Sequence, residues 1–76
     1  MRFLSSEDFR EVWSKKVLCR VYRELDEHNK TSGFSWEIRA PGSNDILVSG
    51  REQVQRHAWL EINNHIGRMR KEKQYK

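Results

Sequence analysis

One cysteine, Cys19, is all the thiol chemistry in this chain, so no internal disulfide can form. Long hydrophobic runs are missing as well. No stretch approaches the roughly 18 to 20 apolar residues that a bilayer-spanning helix requires, and Met1-Arg2-Phe3-Leu4-Ser5 is too poor in apolar residues to read as a signal peptide. These absences point to a reducing cytoplasm and away from a membrane partner. A Gly-rich phosphate loop, internal repeats and low-complexity blocks are absent too. In 76 residues there is room for one domain around one thin core, and none for a deep substrate cleft.

Excess charge is confined to one end. Residues 1 to 67 hold ten Lys/Arg and ten Asp/Glu, so the net charge of +4 arises from residues 68 to 76, where Arg68, Arg70, Lys71, Lys73 and Lys76 meet only Glu72. Such an end suits the C-terminus of a helix, whose macrodipole favours cations, and it could equally clamp phosphates. What the chain does have is 36% hydrophobic residues, with three Trp, three Phe and two Tyr to nucleate packing. That composition implies a folded domain.

The least ambiguous element is Phe34-Ser35-Trp36-Glu37-Ile38-Arg39, in which large apolar and polar residues alternate between Gly33 and Pro41-Gly42. It predicts a strand with Phe34, Trp36 and Ile38 facing the core. Upstream, Ser5 or Ser6 precedes Glu7-Asp8, and Phe9, Val12 and Trp13 fall at i, i+3 and i+4. This spacing predicts a short N-terminal helix over about residues 6 to 15. Val17 to Arg23 is β-branched and aromatic, and a strand, which gathers Val17, Cys19 and Val21 on one side, is preferred to a continued helix. Asp26 to Gly33 has no large apolar side chain and reads as a loop. Ala40-Pro41-Gly42-Ser43-Asn44 supplies a turn into the strand Asp45-Ile46-Leu47-Val48. Ser49-Gly50-Arg51-Glu52 has the spacing of a capping box, after which Val54, Ala58, Trp59, Ile62, Ile66 and Met69 form one apolar stripe of a long helix.

The fold expected is therefore α+β: a short N-terminal helix, a three-stranded antiparallel sheet, and a long C-terminal helix packed on one sheet face. Residues 1 to 70 form the domain and 71 to 76 a basic tail.

Chemistry-bearing patterns are sparse. His57, Glu61 and His65 stand at successive helical steps of four, but the outer two lie about 12 Å apart and no further ligand is evident, so a helix surface is the reading and no metal or cofactor is expected. Cys19 between Val17 and Val21 reads as a small core residue, lacking any nucleophile signature. Asp26 and Glu27 lie in a loop with nothing to desolvate them, so no general acid is implied. The chain is not expected to be an enzyme.

Binding is the better expectation. The outer sheet face would carry Leu18, Arg20, Tyr22, Ser35, Glu37 and Arg39, a mixture of the kind found at interfaces, while Arg56 and Leu60 fall opposite the helix's apolar stripe. A protein partner would use Arg20, Tyr22, Glu37, Arg39, Arg56 and Leu60. A nucleic-acid partner would instead use Arg20, Arg23, Arg39, Arg51, Arg56, Arg68, Arg70, Lys71 and Lys73 on phosphates. The charge balance of residues 1 to 67 favours the protein partner, with the chain as a small regulator, adaptor or inhibitor of the sort that phages and mobile elements encode against host machinery. Association with a second copy stays open.

One resemblance is local. Gly33-Phe34-x-Trp36-x-Ile38-x-Ala40, then Ile46-Leu47-x-Ser49, then Ala58 and Ile62, resembles the strand-strand-helix unit of the small bacterial YegP-like proteins over about residues 33 to 66. The chain departs from that family in lacking its tandem repeat and in adding Ser5 to Lys16. What the resemblance implies is a ββα core; it implies no activity.

Overall fold

The computed structural model describes residues 1–72. Four antiparallel strands run in chain order across one sheet, β1 (Arg2–Val12), β2 (Lys15–Leu25), β3 (Thr31–Arg39) and β4 (Ile46–Glu52), and a single helix, α1 (Gln55–Lys71), follows them. The fold is α+β, but the expected N-terminal helix does not exist and the sheet has four strands, not three.

The N-terminal error has a physical origin in the partners of β1. Ser6, Asp8, Arg10 and Val12 pair with Val21, Cys19, Val17 and Lys15, which places them on the helix side of the sheet, while Glu7, Phe9 and Glu11 point the other way. The alternation is real, yet its covered positions are mostly polar because β1 meets α1 through hydrogen bonds. Ser6 Oγ accepts from Trp59 Nε1 at 2.9 Å and from Gln55 Nε2 at 3.2 Å, and Arg10 Nη1 donates to Asn63 Oδ1 at 2.7 Å. Without an apolar period of two, the fortuitous i, i+3, i+4 spacing of Phe9, Val12 and Trp13 looks helical. In the fold they serve different ends: Phe9 is exposed, Val12 is buried, and Trp13 turns the chain.

That turn is the tightest in the molecule. Val12 pairs with Lys15, leaving a two-residue loop whose Trp13 and Ser14 have φ of 56° and 61°. Positive φ at both loop positions matches the right-handed twist of the hairpin, and glycine or asparagine normally supplies it. The β2–β3 connection is an Asp26 turn, with the carboxylate accepting from the backbone N–H groups of His28 and Lys30 at 2.8 and 3.0 Å. Between β3 and β4, Pro41 precedes Gly42 at φ 68°, and the Ser43 N–H donates to the Ala40 carbonyl.

Ser49 to Glu52 does not cap the helix. These residues continue β4, and α1 begins at Gln55 after Val54, which carries no side-chain cap. Cross-strand pairing with β3 claims them: Ser49 opposes Glu37 and Glu52 opposes Phe34. Helix α1 then lies mainly over β3, burying Ala58, Ile62 and Ile66 against Val12, Val17, Cys19, Val21, Trp36 and Ile38, with Trp59 and Met69 beside them. Val54, expected in the apolar stripe, is exposed because it precedes the first turn. Each fully buried Ile or Val contributes on the order of 1.5–3 kcal/mol.

Gly50 is required by this packing. A Cβ there would stand 2.6 Å from Trp36 Cζ2, so the indole lies flat on the bare backbone of β4. The far side of Trp36 meets the His65 ring at 5.3 Å between centroids. Enclosed in this way, Trp36 Nε1 has no hydrogen-bond partner among the described residues.

Candidate functional site: the open face of the sheet

Because α1 covers only one face, the alternate side chains of β1 to β4 face outward with no described element packed over them. The registers arrange these side chains in rows that run across the strands. One row is Leu4, Tyr22, Ser35 and Arg51; the next is Glu7, Arg20, Glu37 and Ser49; the third begins Phe9, Leu18 and Arg39. A charged row thus lies between two rows that start with apolar side chains. Phe9 is 60% exposed and Leu4 49%.

The charged row is internally bonded. Arg20 Nε donates to Glu7 Oε2 at 3.0 Å and its Nη1 approaches Tyr22 Oη at 3.4 Å. Tyr22 Oη in turn donates to Glu37 Oε2 at 3.4 Å, and Arg39 Nε donates to the same oxygen. Arg39 also reaches the Asn44 carbonyl at 3.2 Å, which ties the ladder to the β3–β4 turn. At the β1 edge the Arg2 guanidinium lies 4.0 Å from the centroid of the Tyr22 ring.

Glu37 is the centre of this ladder. It is 3% exposed although it lies on the face with no helix, because the side chains of Tyr22, Arg20 and Arg39 close over it. A buried carboxylate is tolerated only when paired and hydrogen-bonded, and Glu37 is both. Hydrogen bonding, to Tyr22 and Glu7 for Arg20 and to Glu37 for Arg39, raises both guanidinium pKa values further above their already high range. Both stay cationic at any pH at which the fold is sampled.

Arg20, Tyr22, Glu37 and Arg39 therefore share one surface, and the cross-strand register is what brings them together. Arg56 and Leu60 do not join them. They lie on the solvent side of α1, across the thickness of the molecule, where Leu60 is exposed. The arginines and lysines expected to contact phosphate are scattered. Arg20, Arg39 and Arg51 are on the open face, with Arg51 Nη2 donating to the Ser32 carbonyl at 3.3 Å. Arg23 is on the helix side of the sheet beside Phe34. Arg56, Arg68 and Lys71 are exposed on α1, and Arg70 Nε donates to the Glu11 carbonyl at 3.0 Å, covering that end of the β1 edge. Lys73 and the rest of the expected tail, residues 73–76, lie outside the described residues.

Glu7 and Phe9, assigned to a helix from spacing, and Leu4, placed in no element, are the members of the open face that sequence reasoning missed. The signal that could have found them is the 11-residue match in length between β1 and β2 around a two-residue turn, which is invisible when that turn contains no glycine or asparagine.

Other candidates resolve simply. Cys19 is fully buried and burial pushes its thiol up to about 11, so it is a neutral core side chain at neutral pH. His65 is turned toward Trp36 and bonded to Arg68, and among the described residues no three His, Cys, Asp or Glu side chains are placed to hold a metal ion. No described helix is long and apolar enough to cross a membrane. No family model matches the chain, and no curated protein or solved structure matches it either.

Proposed function

We propose that the protein is a non-catalytic binding module that docks a protein partner on the open face of its sheet, as a small regulator, adaptor or inhibitor of the kind that phages and mobile elements direct at host machinery. The supporting observation is that the two central arginines of this face are already neutralised while its apolar side chains are uncovered. Arg20 is held by Glu7 and Arg39 by Glu37, whereas Phe9 and Leu4 stand exposed beside Leu18 and Tyr22. Five cations, Arg2, Lys16, Arg20, Arg39 and Arg51, share the face with four carboxylates, Glu7, Glu11, Glu24 and Glu37. A polyphosphate would have to displace carboxylates to reach Arg20 or Arg39. A near-neutral protein surface with an apolar centre would not, and Arg, Tyr and Phe around such a centre are the side chains that anchor protein interfaces.

The test compares the immobilised parent chain with Phe9→Ser, Arg20→Glu and Arg56→Glu chains in nuclease-treated lysate of the source cells, followed by calorimetry with the purified captured protein. A labelled short duplex is titrated in parallel. The expected result is one protein bound stoichiometrically by the parent and Arg56→Glu chains and lost with Phe9→Ser and Arg20→Glu. Equal capture by all four chains would overturn the reading. So would duplex binding that falls steeply between low and physiological salt and disappears with Arg56→Glu.

A further inference from the structure

At the end of the sheet where β1 begins and α1 starts, a cavity of about 350 Å³ opens on the helix side, lined by Phe3, Leu4, Ser5, Arg23, Thr31, Phe34 and Gln55. Its floor is one row of the sheet. Phe3 pairs with Arg23 and Arg23 with Phe34, so the three residues are neighbours across β1, β2 and β3 on one side of the sheet, with Arg23 in the middle. With strands about 4.8 Å apart, the backbones carrying Phe3 and Phe34 are roughly 10 Å from one another, and both residues line the cavity.

Arg23 differs from the other sheet arginines. Arg10 is held by Asp8 and Asn63, Arg20 by Glu7, Arg39 by Glu37, and Arg51 by Ser32. Arg2 lies over the Tyr22 ring. Among the described residues Arg23 has no hydrogen-bond, ion-pair or ring partner. A guanidinium facing a concave, partly apolar space with its five donors uncommitted is an anion receptor. The polar lining around it is otherwise satisfied: Ser5 Oγ donates to Gln55 Oε1, and Gln55 Nε2 donates to Ser6 Oγ. The positive potential of the Arg23 end is reinforced by α1, whose first turn has neither a side-chain cap nor an acidic residue.

We propose that this cavity binds one carboxylate carried on an apolar body, with Arg23 pairing to the carboxylate and Phe3 and Phe34 flanking the body. A volume near the lower end of the range for ligand sites takes one aromatic or branched side chain. The charge around the mouth disfavours a polyanion: Glu52 opposes Phe34, and Asp26 and Glu27 lie in the adjoining loop. A chain of phosphates would meet these three carboxylates. The carboxylate has two sources, the C-terminal residue of a polypeptide or a free aryl acid. The site shares only Leu4, at the β1 edge, with the face described above and does not rest on that reading.

The experiment is a titration of the isotopically labelled full chain followed by NMR, with five probes: 3-phenylpropionate, its amide, an N-acetylated peptide ending in Leu-Phe with a free C-terminus, the same peptide amidated, and inorganic phosphate. Saturable shifts centred on Phe3, Arg23, Phe34 and Gln55 are expected from the acids. The amides and the Arg23→Gln chain should bind at least about tenfold more weakly, the loss of one charge-assisted pair. Because Arg23 supports no other side chain, the Arg23→Gln chain should melt with the parent, and Arg23→Lys should recover part of the affinity. Tighter binding of the peptide identifies a polypeptide terminus, and tighter binding of phenylpropionate a free acid; either supports the proposal. Equal binding of acids and amides, unchanged affinity in Arg23→Gln, preferential binding of phosphate, or no saturable shift would each overturn it.

Discussion

The two faces of the sheet use the same strands and close in opposite ways. Under α1, Val17, Val21, Ile38, Ile62 and Ile66 are closed off by shape, with no charge among them. On the open face Glu37 is just as buried, but what covers it is a ladder of arginine and tyrosine side chains held by hydrogen bonds. Burial on the first face is a matter of volume and on the second a matter of pairing. The difference teaches that exposure alone does not separate core from surface in a domain this small. Removing volume should hurt the first face, and removing apolar contact from the second should leave the fold intact while altering what it binds.

The largest expected effect is on the covered face. Ile62→Ala opens a cavity where α1 meets the sheet and should cost about 2–5 kcal/mol in urea unfolding followed by tryptophan fluorescence. A loss under 1 kcal/mol would mean that the helix is not what holds this face closed. A smaller effect, about 1–3 kcal/mol, is expected for Gly50→Ala, since its Cβ would meet the Trp36 ring at 2.6 Å. Combining it with Trp36→Leu sharpens the comparison: the double variant should lose less than the sum of the two single ones, because the shorter side chain relieves the overlap. The smallest is Phe9→Ser on the open face. Its side chain is 60% exposed, so the change should move the unfolding free energy by no more than about 0.5 kcal/mol. A shift beyond 1 kcal/mol would place Phe9 in the core and erase the distinction between the faces.

Legibility in the sequence followed the same division. Trp36, Ile38 and the Ala58, Ile62, Ile66 stripe were readable because each lies in an element whose period the covered face enforces. β1 was not. On its helix side, Ser6 and Arg10 bond to α1 and Asp8 bonds to Arg10, while its apolar Leu4 and Phe9 lie on the face that no described element covers. The capping box at Ser49 to Glu52 failed for a related reason. A four-residue motif is local, whereas the pairing of Ser49 with Glu37 and Glu52 with Phe34 is a contact across strands, and it carried β4 past the motif. Of the candidate site, the alternation of Arg20, Tyr22, Glu37 and Arg39 was visible within β2 and β3. The partners Glu7 and Arg2 were not, since both come from the strand that was misread. The free guanidinium of Arg23 was equally hidden, because whether a cation is paired depends on what stands across from it.

By itself the sequence determined the elements whose side-chain period matches their burial: the strand around Trp36, the turn at Pro41-Gly42, and the helix that carries Ile62. Each is specified by neighbours a few residues away, where propensity and alternation act. Only the tertiary structure decided that Arg2–Val12 is a strand, that the sheet has four strands, and that Glu7, Arg20, Tyr22, Glu37 and Arg39 form one ladder while Arg23 is left unpaired. Those outcomes depend on register between strands, and register is set by which distant side chains can satisfy one another, an energy that no local pattern contains.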